Sequence, residues 1–97
     1  MNQLTGKQVR FLRGRGHHLQ PVVMIGKEEI NEALLASVEE ALDAHELIKM
    51  KLQEGCLLDR REAARIVAER TGSEVVQVLG KTILLFRRSD KERIELP

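Results

Sequence analysis

The chain has no tryptophan, no tyrosine and only two phenylalanines in 97 residues. That scarcity counts against modes of single-strand binding that stack bases on aromatic platforms. The single cysteine, Cys56, excludes an internal disulfide and any site of clustered cysteine ligands, and it fits a reducing compartment. No apolar run approaches the ~18 residues of a membrane span, and the N-terminal end lacks a signal-type apolar stretch. The expectation is a soluble, cytoplasmic protein with no membrane partner. Repeats, low-complexity tracts and linkers are absent as well, so residues 1–97 read as one domain with one core and no large cavity. The most informative absence is acid at one end. The first twenty residues carry Lys7, Arg10, Arg13, Arg15, His17 and His18 and neither Asp nor Glu.

The net charge of the whole chain is only +1. It divides into +4 over residues 1–20, −4 over 21–86 and +1 over 87–97. Segregated positive charge on a nearly neutral protein is the electrostatic footprint of a polyanion partner.

Chemistry-bearing motifs are missing. No Ser-His-Asp order, phosphate-binding loop or zinc spacing occurs. His17 and His18 have no carboxylate or thiol at ligand spacing. The acid pairs Glu28-Glu29 and Glu39-Glu40 lack partners for acid–base work, and Cys56 lacks a base to activate it. The expectation is a non-enzyme with no metal, cofactor or small-molecule substrate.

Apolar periodicity predicts the order α-β-α-β-α-β-β. Thr5 caps a first helix to about residue 13, ended by Gly14 and Gly16, with Arg15 beyond it between the glycines. Leu4, Gln8, Val9, Phe11 and Leu12 fill one arc, and Lys7, Arg10 and Arg13 the opposite one. The run 21–25 reads as a buried strand. A second helix, about 29–45, buries Ile30, Ala33, Leu34, Val38, Ala41 and Leu42, with His45 packed in the same arc. The segment 47–52 alternates as a half-buried strand, Leu47, Lys49 and Lys51 pointing one way. Asp59 and Glu62 start a third helix that Gly72 stops. Strands 75–79 and 82–86 are joined by Gly80-Lys81, suited to a type II′ turn. The expected fold is a single α/β (α+β) domain: a four-stranded mixed sheet covered on one main face, followed by a solvated terminus.

The run Leu4-Thr5-Gly6-Lys7-Gln8, Leu12-Arg13-Gly14, His17, Leu19, Pro21-Val22-Val23 and Ile25-Gly26-Lys27 resembles the opening of the CRM domain (chloroplast RNA splicing and ribosome maturation). Its stand-alone bacterial form is called YhbY-like. Ala41-Leu42, the run His45-Glu46-Leu47-Ile48-Lys49, the run Gln77-Val78-Leu79-Gly80-Lys81-Thr82 and Leu85-Phe86-Arg87-Arg88 extend the likeness along the chain. The resemblance implies a fold similar to the C-terminal domain of a bacterial translation initiation factor. It implies RNA binding, with bacterial members tied to large-subunit precursors and plant relatives to group II intron splicing. It also implies a G-x-x-G loop after the first strand, like the KH-type loop that clamps phosphates. Here that loop reads Gly26-Lys27-Glu28-Glu29, and its two carboxylates repel phosphate.

The basic helix therefore leads the expected RNA contacts: Lys7, Arg10, Arg13, Arg15 and His17. Gly26, Lys27, Lys49, Lys81 and Arg87 support it. The expected role is backbone recognition of structured ribosomal RNA by a monomer that assists large-subunit assembly. The alternative is a protein–protein adaptor, its basic helix docking an acidic partner and its acidic second helix offering a self-complementary surface.

Overall fold

The computed structural model describes residues 4–27 and 30–97. Helix α1 spans Gly6–Gly16 and opens on a reciprocal cap. The Gln8 N–H donates to Thr5 Oγ1 at 3.1 Å and the Thr5 N–H to Gln8 Oε1 at 3.0 Å. The helix continues through Gly14 to Gly16, so Arg15 lies in its last turn and not beyond it. Packing outweighs the low helix propensity of Gly16, which is buried against the Leu84 side chain. Strand β1 is Pro21–Ile25.

Helix α2, Glu32–His45, starts later than its periodicity suggested, because Asn31 Oδ1 accepts the Leu34 N–H at 2.8 Å and sets the cap. Leu35, Val38 and Leu42 are its buried residues, whereas Ala33 and His45 are exposed. His45 continues the apolar arc into the last turn, but the packing stops short of it. Strand β2 is Leu47–Leu52 and α3 is Arg60–Thr71. Asp59 caps α3 through the Arg61 and Glu62 N–H groups, and Gly72 ends it in the left-handed conformation at φ 66°. Strands β3, Glu74–Leu79, and β4, Thr82–Phe86, form a hairpin whose first turn residue, Gly80, has φ 59°.

The sheet order is β1-β2-β4-β3. β1 and β2 are parallel, and β4 is antiparallel to both its neighbours. This is an α+β domain with a four-stranded mixed sheet, and helices cover both faces. On one face Ile25, Ile48, Met50, Ile83 and Leu85 pack with Val38, Leu42 and Val67 of α2 and α3. On the other, Leu47, Val76, Leu84 and Phe86 pack with Leu12 of α1 and Ile94. The expectation of one covered face is corrected here. Leu47 is buried under α1 rather than pointing to solvent. The chain after β4 is not a solvated tail: Ile94 is buried, Leu96 packs beside it, and the Pro97 carbonyl accepts from Gln8 Nε2 at 3.2 Å.

Candidate nucleic-acid interface

The second core positions the basic helix. Leu12 and Gly16 face the sheet, while Lys7, Arg10, Arg13 and His17 are exposed on the opposite side. At 1.5 Å per residue the stripe from Lys7 to His17 is about 15 Å long. Arg13 and Arg15 complement the negative end of the helix dipole, but Lys7 in the first turn opposes it. Helix stability therefore does not account for the whole stripe. Arg15 stands apart from it, roughly 140° from Arg10 around the axis. Its guanidinium carbon lies 5.9 Å from the centroid of the Phe11 ring, on the flank that carries Leu4 and Gln8.

Gly26 and Lys27 follow β1 directly. A side chain at Gly26 would come to 3.0 Å from Gln53 Oε1, and the Lys27 stem passes over Gly55. The Gln53 N–H donates to the Ile25 carbonyl at 2.9 Å, tying this loop to the chain after β2. Glu28 and Glu29 lie outside the described residues. With Asn31 as the cap, the free N–H groups of α2 begin beyond this loop in sequence, but Gly26 and Lys27 line one recess with Asn31, Ala33 and Leu34 at the start of that helix. Lys81 is exposed at the hairpin tip, whose Gly80 carbonyl accepts from Arg60 Nη1 at 3.0 Å. Lys49 and Lys51 share the α1 face of β2, Lys49 half-buried and Lys51 exposed.

Among the described residues, none of Lys7, Arg10, Arg13, Arg15, Lys27, Lys49, Lys51 or Lys81 forms an ion pair. The paired cations lie elsewhere. Arg70 meets Glu32 at 3.0 Å, and Arg65 meets Glu62 and Glu69. Arg87 is only 21% exposed; it bonds Glu39 at 2.8 Å, Asp43 at 2.9 Å and the Thr71 carbonyl. Its partners belong to α2 and α3, across the sheet from α1. The structure thus does not bring Arg87 to the basic stripe. The same bonds occupy Glu32, Glu39 and Asp43, so much of the acidic surface of α2 is already matched within the chain.

Sequence reasoning missed Glu46, which is fully buried at the end of α2. Its carboxylate accepts from the Ser89 N–H and Oγ–H, both at 2.7 Å, from the Ile94 N–H at 2.8 Å and from Arg88 Nη1 at 3.4 Å. It fastens the C-terminal segment beside α1. No spacing signal marks it, because its partners lie more than forty residues away and half of them are backbone N–H groups.

Fold and charge together define a small α+β domain with one side complementary to a polyanion. The chain belongs to the CRM family: the family model of the CRS1 / YhbY (CRM) domain matches residues 4–87. It is 41% identical over 95 residues to YqeI of Bacillus subtilis, named a probable RNA-binding protein, covering 97% of this chain and 99% of that one. It is 38% identical over 97 residues to an RNA-binding protein of Haemophilus influenzae, covering 100% and 98% of the two chains. A solution structure from Staphylococcus aureus, described as a candidate RNA-binding protein, superposes with a TM-score of 0.82 at 41% identity. That match covers 98% of this chain and all of the other.

Proposed function

We propose that this protein is a non-catalytic, cytoplasmic RNA-binding monomer, a single domain over residues 1–97, which recognises the backbone of structured ribosomal RNA and assists assembly of the large subunit. The observation that carries the reading is the exposed stripe Lys7, Arg10, Arg13 and His17, whose Lys and Arg members have no ion pair among the described residues, while Arg65, Arg70 and Arg87 across the sheet are paired. Fixed, uncompensated cations on a rigid helix suit phosphates held at fixed spacing. The names of the relatives support RNA as the partner. Arg15, Gly26, Lys27, Lys49 and Lys81 frame the stripe in this reading, and Arg87 is structural.

Titration of a ribosomal RNA fragment at several salt concentrations tests it. Five to seven phosphate contacts give a slope of log K against log salt of about −4 to −6. Replacing Lys7, Arg10 and Arg13 together by Ala reduces that slope by about 2 to 3. Binding indifferent to salt overturns the reading. The assembly role predicts that RNA crosslinked to the protein in cells is large-subunit precursor RNA; recovery of other RNA classes alone excludes it.

A further inference from the structure

Helix α1 ends one row short of the edge of its sheet face. Gly16 rests on Leu84, in the cross-strand row Lys49–Leu84–Gln77. The next row is Met24–Lys51–Thr82–Leu79, in register across all four strands. These residues alternate with the buried Ile25, Leu52, Ile83 and half-buried Val78, so they point to the α1 side, where nothing among the described residues covers them. Met24 is 46% and Leu79 63% exposed, two of the five most exposed large apolar side chains among the described residues. Three interstrand spacings make the row about 14 Å long.

From this juxtaposition we infer that the bare row is a second subsite, which takes the bases of an unpaired RNA strand running off the structured segment held by α1. This inference rests on the RNA-binding reading above and deepens it. Charge selects the occupant. Lys51 sits within the row, Lys49 and Lys81 beside it, and none has an ion pair among the described residues. The adjoining recess, lined by Met24, Lys51, Gln53, Glu54 and Lys81, contributes a single acid. A purely apolar protein surface seated here would strand the Lys51 ammonium without a partner, at a high desolvation cost. A phosphodiester strand supplies the anion.

Apolarity selects the part of the RNA. Phosphates gain nothing from Met24 and Leu79, whereas the flat face of an unpaired base buries apolar surface on them. A duplex keeps its base faces stacked inside and cannot use the row. The contact is aliphatic, so it tolerates any base. Thr82 adds one polar feature: its hydroxyl donates to the Leu79 carbonyl at 2.7 Å, which leaves the oxygen able to accept from a base amino group.

The test compares two RNAs on the full chain: a blunt hairpin, and the same hairpin with a single-stranded extension of about six nucleotides at either end. The wild type binds an extended RNA about five- to tenfold tighter than the blunt one. Met24→Ser with Leu79→Ser abolishes that preference, and keeps the affinity for the blunt hairpin and the melting temperature, since both positions are exposed. Lys51→Gln weakens the extended complex alone and serves as the second variant. Equal wild-type affinity for blunt and extended hairpins overturns the subsite and leaves the RNA reading standing. A preference that survives in both variants also overturns the subsite, as does loss of a captured acidic protein partner with the RNA preference unchanged. Failure to bind any hairpin overturns both readings.

Discussion

Glu46 ties the end of α2 to the C-terminal segment through four hydrogen bonds of its carboxylate. Its backbone lies at φ 66° and ψ −44°, a conformation that costs a side-chain-bearing residue about 1–3 kcal/mol. Burial alone pushes its carboxyl group up. The Ser89 N–H and hydroxyl, the Ile94 N–H and the Arg88 guanidinium outweigh that and hold it below the ordinary carboxylate value. A carboxyl group depressed in the folded state stabilises fully above its unfolded value, and that contribution is lost as pH falls through the folded value. Glu46→Gln presents an NH2 to groups that are themselves donors. It is expected to lower stability by about 1–3 kcal/mol and to flatten the acid limb of the stability profile. Urea titrations at neutral and acidic pH check both effects; an unchanged acid limb would assign it to another group.

At the scale of elements, the seating of α1 decides whether its cations are presented as a rigid row. A Cβ on Gly16 would lie 2.7 Å from Leu84 Cδ2 and nearer still to Cδ1, inside van der Waals contact. Leu84 is buried, so any shift of its methyl groups disturbs packed neighbours. Gly16→Ala is therefore expected to cost about 1–3 kcal/mol in overpacking and to weaken RNA binding, whereas Gly14→Ala, in open space, stabilises slightly. Thermal melts with parallel RNA titrations separate the two. The elements themselves were legible because their signals are local: the Thr5 and Asp59 caps, the Gly72 stop, the Gly80-Lys81 turn and the apolar periods all appear in order. What escaped was set by distant contacts. Asn31 shortened α2, and Gly16 stayed helical because Leu84 lies beneath it. Leu47 turned inward because α1 and Ile94 cover its side of the sheet. Among the candidate site residues, the sequence placed Lys7, Arg10 and Arg13 on one face of a helix, as found. It could not tell that Arg87 is occupied by α2 and α3, since Glu39 and Asp43 are more than forty residues away.

At the scale of the whole molecule, among the described residues Lys7, Arg10, Arg13 and Arg15 of α1 have no ion pair, whereas Arg65 and Arg70 of α3 and Arg87 after β4 are paired across the sheet from them. The two sides give opposite responses to the same substitution. Arg13→Ala is expected to reduce the salt slope by about 0.7–0.9 with little change in melting. Arg87→Ala is expected to lower the melting temperature and leave the slope unchanged for the folded fraction. Parallel melting curves and salt titrations decide it; a lowered slope for Arg87→Ala would place that residue in the interface after all. The core beneath the basic helix has a further consequence, in time rather than in space. Leu12 comes near the start of the chain, but its neighbours Leu84, Phe86 and Ile94 come near the end, and the last strand synthesised fills a central position in the sheet. A growing polypeptide therefore carries its basic segment without a floor until β4 and the residues after it are made. The α1 stripe is the first part of the interface to be translated and among the last to become rigid.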